Sequence, residues 1–236
     1  MPWFSAIRLF AALLVLLIAA PARAQSTYRD DARHWQLQLP KGWESRPELA
    51  ETATTQARAR LSTSLINYIA AFKGEGHPYI LVQYINQPLT SEEIDQLAAS
   101  FEKGVSAARE KLGGTVKEMT PEKPVVDRAR NRITAHSHVT EQNGHSIDFL
   151  TVMHLTGEGA VQVNCYAPSD EYAAALPVLQ SIADSVQIDV DHTYVPPPAH
   201  WGLGQWVAFG AIGGGVLGGL YDIARRLKGK VGVRTN

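Results

Sequence analysis

Cysteine is almost missing from this 236-residue chain: Cys165 stands alone. That excludes an internal disulfide framework and any multi-cysteine zinc site. A lone thiol is compatible with an oxidising compartment when it is buried. Charge of one sign is missing too, since 22 lysines and arginines face 23 aspartates and glutamates, for a formal net charge of -1. A nucleic-acid binder should carry a basic face, so no nucleic-acid partner is expected. The chain has no GxSxG, no HExxH and no phosphate-binding glycine loop followed by Lys and Ser or Thr. Internal repeats and long low-complexity tracts are lacking as well.

What is present is a hydrophobic segment near each end. Residues 1–24 have the three parts of a secretory signal: Arg8 closes a short n-region, an apolar run follows, and Ala22-Arg23-Ala24 forms a cleavage site before Gln25. Cleavage is expected because the apolar run is short for an uncleaved anchor. No cysteine follows the run, which excludes lipoprotein processing. Residues 201–221 read WGLGQWVAFGAIGGGVLGGLY, with no charge, and lead into Asp222, Arg225, Arg226, Lys228 and Lys230. A bilayer core about 30 Å thick takes roughly twenty helical residues to cross. Trp201, Trp206 and Tyr221 stand where interfacial aromatics belong, and the basic run marks a cytoplasmic end. The expected organisation is a signal at 1–24, an exported domain at 25–191, a proline-rich linker at 192–200, a transmembrane helix at 201–221 and a basic cytoplasmic tail at 222–236. This places the protein as a single-pass protein of a bacterial inner membrane, its main domain in the periplasm. The linker, HTYVPPPAH, favours a stiff polyproline II spacer.

Glycines are the most specific feature of that helix. Gly210, Gly214 and Gly218 recur every fourth residue, as do Gly215 and Gly219. Small residues at this spacing let two helix backbones approach closely, so the expected partner is another membrane protein or a second copy.

The middle of the chain alternates strand and helix patterns. Trp35, Leu37 and Leu39 point one way and Gln36 and Gln38 the other. Residues 47–60 are alanine-rich and read as a short helix or an irregular crossing. Residues 65–72 and 79–85 make a hairpin around Gly74-Glu75-Gly76-His77-Pro78. Thr90 and Glu93 have capping-box spacing ahead of a stripe of Ile94, Leu97, Phe101, Val105, Ala108 and Leu112, which Gly113-Gly114 ends. Further strands are expected at 124–126, 132–140, 145–155 and 160–166, with Asn143-Gly144 as a two-residue hairpin turn. That turn sets Phe149 and Thr151 opposite His138 and His136, and points His154 to the other face. Ser169 is expected to cap a last helix that Pro177 interrupts and restarts. The sum is an α+β domain on a mainly antiparallel sheet flanked by helices.

The strand ending Leu39-Pro40-Lys41-Gly42-Trp43, the long helix after a hairpin, and the closing strand and helix over residues 166–186 resemble the PsbP-like fold group. That group includes the extrinsic photosystem protein and bacterial DcrB-like envelope proteins. The resemblance covers residues 25–191 and implies a domain that binds or supports a larger assembly, with no catalytic set to carry over. A C-terminal anchor departs from the group's usual soluble or lipid-anchored form.

Three sets of residues are candidates for chemistry. His136 and His138 share one strand face and are the best metal candidates, yet a site needs three or four ligands. His77, His145 and Asp148 contribute only if the fold brings them in. Cys165 sits in an alternating strand, as a buried small hydrophobe usually does. Trp35 and Trp43 flank the first turn, as core packing or as a ligand or partner surface. No catalytic residue, cofactor or metal is assigned. The expected function is a membrane-anchored extracytoplasmic binding or assembly module. The rivals are a metal- or thiol-dependent enzyme on His136, His138 and Cys165, and a C-terminal sorting signal that is cut off after export.

Overall fold

Residues 26–61, 66–112 and 114–196 are described by the structure, a computed structural model. The signal segment at 1–24 and the glycine-rich segment at 201–221 lie outside the described residues. In chain order the elements begin with β1 (Ser26–Asp30), β2 (Trp35–Leu39), β3 (Glu44–Ser45) and α1 (Pro47–Leu61). Next come β4 (Tyr68–Lys73), β5 (Tyr79–Ile85), α2 (Ser91–Leu112), β6 (Val116–Pro121) and β7 (Val125–Asp127). The chain closes with β8 (Arg132–Glu141), β9 (Ser146–Thr156), β10 (Gly159–Pro168), α3 (Ser169–Asp184), β11 (Gln187–Ile188) and a 3-10 turn (Val190–His192).

The strands form two antiparallel sheets. The large one runs β3-β4-β5-β10-β9-β8-β6, with β7 also on β8, and the small one runs β1-β2-β11. β10 is central and buried at every residue, because both of its faces are covered. One face carries α1 and α2, with Ala53, Ala57, Val105 and Leu112 against Tyr79, Leu81, Phe149 and Tyr166. The other carries the small sheet and α3, with Trp35, Leu37, Leu179 and Ile182 against Val82, Leu150, Val163 and Cys165. The α+β class with a mainly antiparallel sheet is what the pattern predicts.

Several local expectations need correction. The alanine-rich stretch takes the helical of its two expected forms, continuous over 15 residues. Its buried alanines let it lie close to β4, where the Thr54 hydroxyl accepts the Tyr68 N–H at 2.9 Å. β6 was not expected: only Val116 and Met119 of its six residues are buried, too few to show a strand period. α3 runs unbroken through Pro177, which faces solvent where water can meet the carbonyl it leaves free. Ser169 is not its cap. Pro168 holds that position without a side-chain bond, and Ser169 opens the helix.

The correction with most consequence is the β8–β9 register. The turn has three residues, closed by Glu141 N–H to the His145 carbonyl at 2.8 Å, with Gly144 at φ +85°. His136 therefore faces Leu150 and His138 faces Asp148. A slip of one residue moves every later side chain to the opposite face. His154 accordingly shares the α3 face with His136 and His138.

The chain also stays on the domain beyond residue 191. Thr193 bridges Thr156, the Gly157 N–H donates to the His192 carbonyl at 2.9 Å, and the Tyr194 hydroxyl reaches the Leu89 carbonyl at 2.5 Å.

Candidate functional site

The histidines singled out in the sequence meet α3. Residues 132, 134, 136, 138 and 140 of β8 point to its side of the sheet, paired with residues 154, 152, 150, 148 and 146 of β9. Nδ1 of His136 lies 3.1 Å from the Tyr172 hydroxyl. Nδ1 of His138 lies 2.9 Å from Asp148 Oδ1 and 3.4 Å from the Ser169 hydroxyl. His154 is buried, with Nε2 at 2.9 Å from the Ala183 carbonyl, and Arg132 pairs with Asp184 at the same end of the helix. From the β4–β5 turn, His77 Nδ1 meets Glu171 at 2.6 Å. Each of these contacts joins α3 to the sheet or stands beside one that does.

Burial decides the protonation of two of these groups. It pushes the His154 pKa down to about 4, with the Arg132 charge adding to the shift and the Ala183 carbonyl opposing it. A neutral imidazole donating Nε2–H to that carbonyl fits the position. Burial also holds the Tyr172 hydroxyl protonated, its pKa well above the usual phenol value, with negative charge at Asp148 and Glu122 acting the same way.

Cys165 is fully buried under α3, with Sγ 3.7 Å from the Leu179 carbonyl. Burial raises its thiol pKa far above the ordinary value, which works against the thiolate a nucleophile needs. Trp35 is fully buried between the sheets, so it has no surface to offer a ligand or partner. Trp43 is half-buried against the β4–β5 turn, where Gly74 makes room for it: a Cβ there would stand 2.7 Å from the indole.

His136 and His138 turn to different partners, and among the described residues no group of three or more His, Cys, Asp or Glu converges on a metal position. Ser169, His138 and Asp148 do not form a relay either. Serine and aspartate approach the same ring nitrogen, whereas a relay needs them on opposite ones. Thr140 does lie on the other nitrogen, 3.1 Å from Nε2, with Ser146 Oγ a further 3.0 Å away. The Thr140 backbone pairs with Ser146 in the β8–β9 ladder, and the Ser146 hydroxyl is the polar neighbour of its side chain. Sequence reasoning missed Asp148 opposite His138, and with it Tyr172, Ser169 and His154. The signal for the first was the turn length alone.

No protein-family model matches the sequence, and no curated protein matches it. The fold is another matter. The solution structure of cyanobacterial PsbP (CyanoP) from Synechocystis sp. PCC 6803 aligns at a TM-score of 0.53 and 10% sequence identity, covering 72% of this chain and 95% of that one. The chain has a PsbP-like fold. At that identity the likeness concerns architecture, and it spans nearly the whole of the other protein.

Proposed function

We propose that this chain is a membrane-anchored extracytoplasmic binding or assembly module with no catalysis of its own. Its PsbP-like domain is held on the periplasmic side of a bacterial inner membrane by the helix at residues 201–221. That helix associates with a partner, another membrane protein or a second copy, through Gly210, Gly214 and Gly218 or through Gly215 and Gly219. One observation carries the non-catalytic part: His136, His138, His154 and Cys165, the groups with most chemical capacity, are used to fasten α3 to the sheet. The topology and the helix association rest on the sequence pattern.

Crosslinking in native membranes, read by mass spectrometry and compared with Gly214→Leu, tests the reading. The expected result is one dominant partner that the substitution removes, because a leucine at the contact holds the two backbones apart. A complex unchanged by Gly214→Leu and by Gly215→Leu would overturn association through this helix.

An enzyme reading other than the metal- or thiol-dependent one has one observation in its favour, the order Asp148, His138, Thr140 across one imidazole. Thr140→Val separates the two. It leaves the function of a binding module intact and abolishes that of a threonine-dependent enzyme.

A further inference from the structure

A cleft of about 420 Å³ opens at the end of the α3-side face, with none of the histidines just described in its lining. Its volume lies within the roughly 300–1,000 Å³ range of small-molecule sites. Arg33 from the β1–β2 turn, Asn67 and Ile69 from the start of β4, Tyr84 and Asn86 from the end of β5, and Glu158 from the β9–β10 turn line it.

Five features hold these side chains in place. The Arg33 guanidinium lies over the Tyr84 ring, 5.7 Å from its centroid, and donates from Nη1 to Asp30 at 2.7 Å. The next residue, His34, sits in the left-handed region at φ +58°. Such a conformation persists in a non-glycine residue only where its surroundings over-determine it. Here the His34 ring stacks on His192 at 3.6 Å, and its carbonyl accepts the Asp189 N–H at 2.9 Å. On the opposite wall Glu158 is tied to His192 at 3.1 Å. Gly159 lets that turn press on β5, since a Cβ there would meet the Ile85 carbonyl at 1.8 Å. The bulge between Tyr68 and Ala70 falls at Ile69.

We propose that this cleft binds an uncharged, polyhydroxylated ligand, a short carbohydrate. Arg33 and Glu158 are each paired outside the cleft, with Asp30 and His192, so the lining has donors and acceptors without an excess of either charge. An anion meets the Glu158 carboxylate, and a cation meets Arg33. Vicinal hydroxyls, each a donor and an acceptor, match the two carboxamide forks of Asn67 and Asn86 together with the guanidinium and the carboxylate. Ile69 and the Tyr84 ring supply the apolar part of the lining, against which the C–H groups of a sugar can rest. The predominance of polar groups excludes a lipid tail. This inference needs neither the membrane helix nor its partner.

The test is a ligand-observed NMR titration of the full chain, in a detergent without a sugar headgroup where one is needed. The probes are cellobiose, maltose and N,N′-diacetylchitobiose. The expected result is saturable millimolar binding of at least one disaccharide, weakened about tenfold or more in the Asn67→Ala, Asn86→Ala double variant. Both asparagines are exposed, so the variant keeps its fold, and Glu158→Gln gives a second reading at the other wall. Val125→Ala, on the far edge strand, leaves binding unchanged. No saturable signal from any of the three, or binding indifferent to both cleft variants, overturns the proposal. So does binding of inorganic phosphate or of a blocked dipeptide at the cleft while the sugars stay silent.

Discussion

α2 and α3 lie on opposite faces of the same sheet and are held there by different means. α2 is 22 residues long and buries Ile94, Leu97, Val105 and Leu112 on one stripe. Its capping box closes in both directions: the Thr90 N–H donates to Glu93 Oε2 at 2.8 Å, and the Glu93 N–H donates to the Thr90 hydroxyl at 3.2 Å. α3 is 16 residues long, contains a proline, has no side-chain cap, and buries only Leu179, Ile182 and Ala183. Polar contacts with β8, β9 and the β4–β5 turn complete its attachment. A helix with a full apolar stripe can be placed from its own sequence. One fastened by polar contacts depends on which strand residues the register puts beneath it.

If the small apolar patch does most of the holding on α3, the sharpest break comes there. Leu179→Ala removes a fully buried side chain over Cys165 and is expected to cost about 4 kcal/mol, near the upper part of the range for such truncations. Chemical denaturation at neutral pH measures it. A loss under about 1 kcal/mol would mean that the polar contacts carry α3 instead.

Next in size is a pH effect that α2 should lack. His154 is protonated more readily in the unfolded chain than under α3, where burial sets its pKa at about 4. Its contribution is complete above pH ~6.5 and declines as the pH falls toward 4, because the unfolded state takes up the proton first. The span corresponds to about 3 kcal/mol. Carboxylates titrate over the same range, so the measurement is the difference between wild type and His154→Gln, which keeps a donor for the Ala183 carbonyl. Parallel stability curves for the two proteins would remove His154 from the account.

The same contrast explains what could be read from the sequence. The α2 stripe, its capping box, the β4–β5 hairpin and the inward set of Trp35, Leu37 and Leu39 were legible, because each is a periodicity or spacing within one segment. The histidine contacts were not. Asn143-Gly144 fits a two-residue turn, but Gly144 alone takes positive φ, and the resulting three-residue turn moves His154 to the α3 face. The pairing of His138 with Asp148 follows from that shift, and so does the meeting of Arg132 with the end of α3. The Arg33 and Glu158 cleft was equally invisible, since its walls come from four separate segments.

A cap substitution on α2 gives a smaller effect with a clear direction. Thr90→Ala leaves the Glu93 N–H without its acceptor at a buried helix start and is expected to cost about 1–2 kcal/mol. Hydrogen exchange should show the loss confined to the first turn of α2, with α3 protection unchanged. Matched loosening of α3 would mean that the two faces are coupled through the sheet.

The smallest effect is expected where the sequence drew most attention. The His138 side chain is 37% exposed and that of Asp148 24%, so water screens their interaction and each keeps some hydration in the folded state. A double-mutant cycle of His138→Ala and Asp148→Ala should therefore give a coupling below about 1 kcal/mol. The two single variants need not be equal, since loss of His138 also releases Ser169 at the start of α3 and Thr140 beside it. The cycle cancels those side effects and leaves the pair. A coupling above about 2 kcal/mol would show that the imidazole and carboxylate act as one desolvated unit. That is the environment an acid-base pair requires, and it would move weight from the fastening role of this face to the enzyme reading.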